Sequence, residues 1–117
     1  MTRKTTTDAE ALSLRGLDLL AAGSAWEAAL LFRSAIAADP RHHEAHHGLV
    51  RALRDAGLTE QSVSAALALT ELAPDDPLAH TALSISLQRA GNVHEAEAAA
   101  ARARILEWKL QLQSPAE

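Results

Sequence analysis

The 117-residue sequence has no cysteine, which excludes both a disulfide framework and a thiolate zinc site and leaves the redox compartment open. Tyrosine is absent as well, and aromatics amount to 3%, namely Trp26, Phe32 and Trp108. A core so poor in large rings has to be made by helices approaching closely over small side chains, alanine above all, which argues against a β-rich fold. No apolar run reaches the length of a membrane span, and Met1-Thr2-Arg3-Lys4 leads into threonines and Asp8 instead of an apolar signal core. A soluble, unexported, cytoplasmic protein without a membrane partner is the expectation. The formal net charge of -4, with no Arg/Lys interleaved with aromatics, offers no broad basic surface for phosphate backbones, so no nucleic acid is expected as a partner. Catalytic signatures are missing too: there is no cysteine nucleophile, no glycine-rich phosphate loop and no carboxylate pair set apart by its surroundings. Neither enzyme activity nor a cofactor is expected.

What is present is enough apolar side chain for one core, 48% hydrophobic against 22% charged, and a strict period. Gly23, Gly57 and Gly91 are 34 residues apart, and Pro40 and Pro74 share the interval. The chain divides at this period into units 9–42, 43–76 and 77–110, each reading as a helix, a glycine turn, a second helix and a break. Apolar or small residues recur at helical spacing before each glycine, as in Leu12, Gly16 and Leu19, then Leu49, Ala52 and Leu53, then Leu83 and Leu87. The glycine supplies the left-handed conformation that ends a helix. Helix-starting residues follow: Ser24, Thr59, and Asn92 with Glu95 at capping-box spacing; Thr7 with Glu10 repeats that spacing at the start. Asp39-Pro40 and Pro74 stop the second helices, and Asp76-Pro77 reads as cap plus first helical residue. The predicted helices are 8–22, 25–38, 43–56, 60–73, 77–90 and 93–113, in one domain over 8–113 with flexible ends at 1–7 and 114–117.

The first unit resembles the tetratricopeptide repeat family at Gly16, Leu19, Gly23, Ala28, Phe32, Ala35 and Pro40. The second matches at Leu49, Leu53, Gly57 and Pro74, with Ser62 and Ala66 in place of the usual alanine and aromatic. The third matches at Leu83, Ser84, Leu87, Gly91, Ala96 and Ala103, but carries Trp108 where proline is expected, so its last helix should run on. The resemblance implies an all-α, right-handed solenoid of three helix-turn-helix repeats, six helices in all, that serves as a scaffold or adaptor for a protein or peptide partner. It also implies which residues line the concave groove, because the first helices of successive repeats face it. These are Glu10, Ser13, Leu17 and Leu20 in the first repeat, and Glu44, His47, Arg51 and Arg54 in the second. The third contributes Leu78, Thr81, Ile85 and Gln88. His47, Arg51 and Arg54 fall on one helix face and form a basic strip between apolar flanks, suited to an acidic or amphipathic peptide; the plainer expectation pairs Arg51 with Asp55. Some family members grip a terminal carboxylate with lysine, asparagine and arginine. The corresponding places here hold Ser13, Leu17, Gly48, Leu78 and Ala82, which cannot form that clamp. A looser resemblance is to the small three-repeat chaperones of bacterial secretion systems.

Two further features invite a reading. Arg41-His42-His43-Glu44-Ala45-His46-His47 holds four histidines in six residues, and His43 with His47, one turn apart, can reach a single cation. No third ligand is evident, and His46 and His80 hold positions that normally pack between helices. The last predicted helix carries two apolar stripes. Ala96, Ala99, Ala103, Leu106 and Leu110 should pack on their own repeat, whereas Ala98, Ala101, Ile105, Trp108 and Leu112 have nothing to cover them and point to a contact surface, most simply a homodimer.

Overall fold

The computed structural model describes the backbone of residues 2–114 and the side chains of 8–114. It contains α1 (Thr2–Ala21), α2 (Ala25–Ala38), α3 (His43–Asp55), α4 (Thr59–Leu72), α5 (Pro77–Arg89) and α6 (Val93–Gln113), with no strand among the described residues. Each helix packs on the next in sequence, and α1, α3 and α5 also touch in succession, which makes a solenoid. The radius of gyration of 15.0 Å exceeds the ~13.4 Å of a compact chain of this length, as an open array requires. The flexible ends expected at 1–7 and 114–117 lie largely outside what is described: side chains 1–7 and residues 115–117 are not, while the α1 backbone starts at Thr2.

Three identical turns end the first helices. Gly23, Gly57 and Gly91 have φ of 85°, 79° and 85°. The next residue donates back across the turn, Ser24 to the Leu19 carbonyl at 2.8 Å, Leu58 to Leu53 at 2.9 Å and Asn92 to Leu87 at 2.9 Å. This turn also explains why most of the expected caps do not form. Ser24, Leu58 and Asn92, the residues before the second helices, have ψ of 62°, 66° and 70°, short of the extended region from which a side chain reaches back to the first turn, and none makes a capping bond. Thr59 lies inside α4 and Thr7 inside α1, so neither is a cap. Asp76, at ψ 113°, is one: its Oδ1 accepts from Leu78 N at 2.9 Å, with Pro77 opening α5.

Between repeats the proline loops are tied to the following helix. His46 Nε2 donates to the Pro40 carbonyl and His80 Nε2 to the Pro74 carbonyl, both at 2.8 Å and one period apart. The ring of Phe32, fully buried, fills the first joint. A Cβ on Gly16 would lie 2.9 Å from that ring, and one on Gly48 closer still, so both positions must be bare. One period on, the ring's place is taken by Ala66 and the glycines' places by Val50 and Ala82.

Register also identifies the two end faces. Phe32 presses on Gly48, Ile36 shares a recess with His46 and Leu49 of α3, and Val63 one with Arg89 and Ala90 of α5 and its turn. The corresponding face of α6 holds Glu97, Ala100 and Arg104. At the other end Ala11, Leu14, Arg15 and Asp18 stand where α3 has Ala45, Gly48, Leu49 and Ala52. Both faces carry charge at joint positions, Arg15 and Asp18 beside exposed Leu14 on one and Glu97 and Arg104 beside half-buried Ala100 on the other. The apolar stripe of α6 is therefore not the face a further repeat would cover. Ala98, Ala101 and Ile105 stand at the positions of Leu30, Arg33 and Ala37 in α2 and of Ser64, Leu67 and Glu71 in α4, all exposed on the outer surface.

Candidate functional site

The first helices run side by side, so residues one period apart form rows across the concave surface. From the proline-loop side to the glycine-turn side the rows are Glu10, Glu44, Leu78; then Ser13, His47, Thr81; then Leu17, Arg51, Ile85; then Leu20, Arg54, Gln88. Between α1 and α3 they enclose a cleft of about 390 Å³ lined by Leu17, Leu20, Glu44, His47, Gly48 and Arg51. Its floor is apolar because successive turns of α1 present Leu17 and Leu20.

The third repeat continues this surface with exposed Leu78, Ile85 and Gln88 and half-buried Thr81. Glu10 is exposed at the proline-loop rim. Ser13 differs from its expected role. At 1% exposure it is covered by the neighbouring helices and its Oγ has no partner, so it lies beneath the groove instead of lining it. A side chain this short cannot emerge where α1 and α3 approach.

The basic strip is divided among different surroundings. His47 Nε2 lies 3.4 Å from Asp76 Oδ2, at the start of α5. Arg51 forms the one-turn pair with Asp55, a long contact of 3.8 Å between exposed groups. Arg54 is half-buried, its Nη1 is inaccessible and unpaired, and burial, followed by the neighbouring charge of Arg89, holds its guanidinium below the usual arginine range. Arg89 is absent from the groove residues expected from sequence. It sits one residue beyond the aligned set, at the position of Asp55, and only the lateral contact of α3 with α5 brings it to Arg54.

The histidines separate likewise. His46 is committed to the Pro40 carbonyl, His42 precedes α3 with a buried, unpartnered Nε2, and His43 is exposed. Among the described residues no three His, Asp or Glu side chains converge as metal ligands.

The outer stripe of α6 is open except at half-buried Ala101. Ala98 and Ile105 are exposed, and Trp108 and Leu112 are 61% and 67% exposed. Ala96, Ala99, Ala103 and Leu106 are buried, but Leu110 is half-exposed because α6 has 21 residues against 14 in α2 and α4. With Trp108 in proline's place the helix overhangs the array, and its Lys109, Leu110 and Gln113 share a recess of about 320 Å³ with Asp75. No described helix is long and apolar enough to cross a membrane.

Comparison with known proteins agrees with this geometry. Among solved structures, the second TPR of Spaghetti (RPAP3), bound to the HSP90 peptide SRMEEVD, superposes with a TM-score of 0.83 at 16% identity, covering 90% of this chain and 96% of that one. The Yersinia enterocolitica type III secretion translocator chaperone SycD gives 0.80 at 17% identity, covering 86% of this chain and 76% of that one. A crystal structure of MamA gives 0.83 at 20% identity over 92% of this chain, which spans 62% of the MamA chain; for a further MamA structure, from MSR-1, the share is 58%. No curated protein matches the sequence. The tetratricopeptide repeat profile matches residues 19–85, more than half of the sequence, and with the 34-residue period, the three glycine turns and the six-helix solenoid it shows that the chain belongs to the tetratricopeptide repeat family.

Proposed function

We propose that this chain is a non-enzymatic interaction module whose concave groove holds an extended or amphipathic segment of a partner protein, acidic at one end and apolar in the middle. The observation that carries the reading is the cleft between α1 and α3, with Leu17 and Leu20 as its floor and Arg51 and His47 at its rim. The Spaghetti domain holds a peptide containing two glutamates and an aspartate, and SycD is a secretion chaperone; both make a peptide or protein ligand a natural choice for this fold. The mode differs from a terminal-carboxylate clamp, because Leu17, Gly48, Leu78 and Ala82 offer no donor. A cytoplasmic location and a single repeat domain over 8–113 belong to the same reading. Leu17→Glu with Ile85→Glu should abolish capture of the native partner while leaving helicity unchanged, as measured by affinity purification and circular dichroism. Undiminished capture by that variant would remove the groove as the binding surface.

Self-association is the second reading, favoured by the exposed run of Ile105, Trp108 and Leu112 on an overhanging helix. Light scattering should find a dimer that Trp108→Glu dissociates; a wild type monomeric well above micromolar concentration ends this reading. Metal binding through His43 and His47 is the alternative of another class. It stands only if zinc binds tightly and loses its affinity in His43→Ala with His47→Ala.

A further inference from the structure

At the glycine-turn end of the groove Arg54 on α3 stands within the field of two other arginines, Arg51 one turn before it and Arg89 at the end of α5. Two carboxylates stand among them and neither holds Arg54 or Arg89 in an ion pair: Asp55 makes a long contact with Arg51 while its charge also favours that of Arg54. Glu60 shares a recess with Arg89 but forms no ion pair with it. Arg54 is the informative member, because its Nη1 is buried without an acceptor and the side chain is already half withdrawn from water. The guanidinium has lost part of its hydration and gained no protein partner, so an anion meeting its still-exposed edge has no protein bond to displace. Nor does any oxygen of the last turn of α3 accept from Nη1, so helix capping does not explain the residue. At the other end of the same groove Glu10 and Glu44 repel an anion, which confines it to the arginine end.

We infer that Arg51, Arg54 and Arg89 form a carboxylate-binding subsite that seats adjacent acidic side chains of the partner segment, fixing that segment's acidic end at the glycine turns and its apolar part on Leu17, Leu20 and Ile85. The inference rests on the groove reading and adds both the subsite and the direction in which the segment lies. Planar guanidinium groups match carboxylates through paired N–H donors, and two or three of them around one site discriminate against an isolated charge.

The test is a titration of the full chain with acetyl-Glu-Glu-Glu-amide at constant ionic strength, followed through the side-chain Nε–H resonances of its arginines. Acetyl-Lys-Lys-Lys-amide and inorganic phosphate are run alongside. The resonances of Arg51, Arg54 and Arg89 should shift together and saturate with one Kd, while Arg33 and Arg102 on the outer surface stay still and the lysine peptide moves nothing. Arg54→Gln and the exposed Arg89→Gln should each weaken binding about tenfold, and Arg33→Gln should leave it unchanged, with circular dichroism confirming that all three are folded. Equal small shifts at every arginine, or wild-type affinity in both groove variants, overturn the subsite. Saturation by phosphate at the same residues without saturation by the glutamate peptide overturns it as a carboxylate site. Loss of peptide binding here alongside capture that still depends on Leu17 and Ile85 would remove the subsite and leave the groove reading intact; the reverse pattern would remove the groove reading alone.

Discussion

Between the first and second repeats a single phenylalanine fills the space that two glycines leave; between the second and third, the same three positions hold alanine, valine and alanine. Phe32 is wholly buried against Gly16 and Gly48, and Ala66 against helices that carry Val50 and Ala82. The two joints have the same helix order and comparable contact, so what the solenoid holds constant is the summed volume at the crossing and not the residue at any one position. Energetically they differ. The first joint concentrates its packing in one ring, and the second spreads it over several small side chains, so single substitutions should be felt unequally.

The largest expected effect is that of Phe32→Ala, about 3–5 kcal/mol in denaturant unfolding, because neither Gly16 nor Gly48 can refill the cavity. Ala66→Gly in the other joint should lose about 1 kcal/mol, mostly helix propensity. Equal losses would show that the joints are not asymmetric. Next is Gly48→Ala, which forces a methyl into the Phe32 ring and should destabilise by roughly 1–3 kcal/mol. Adding Phe32→Leu to that variant should recover part of the loss, and a double-mutant cycle that proves additive would contradict volume exchange between the two positions. The smallest concerns the helix starts: Asp76→Ala should cost about 1 kcal/mol, and Ser24→Ala and Asn92→Ala only a few tenths, because only Asp76 makes a capping bond. Thermal melting of the three variants side by side checks the ranking.

Much of this is legible in the chain. The 34-residue glycine interval, the proline breaks and the helical spacing of small residues place all six helices to within about two residues at nearly every boundary. The exception is the start of α1, where a threonine-rich stretch reads as a capping site yet continues the helix from Thr2. Caps expected after the glycine turns fail for a local reason, since Ser24 and Asn92 are the right residue types held at the wrong ψ. Position alone puts His46 and His80 between helices, but their bonds to Pro40 and Pro74 depend on where the loop carbonyls point. The outer stripe on α6 is visible as a pattern of side chains; that it lies on the convex surface and not on the end of the array follows only by comparison with α2 and α4.

The sequence by itself determined the repeat, the helices, the turns and the residues able to interlock, because each depends on spacing within a few turns or on a period that survives along the chain. Only the tertiary structure decided that Ser13 is covered, that Arg54 is partly withdrawn from water without an acceptor, and that Arg89 stands beside it. Those are lateral relations between parallel helices one repeat apart. They are set by how closely α1, α3 and α5 approach, a distance that depends on the volumes packed in the two joints, Phe32 against Gly16 and Gly48 in the first and Ala66 with Val50 and Ala82 in the second.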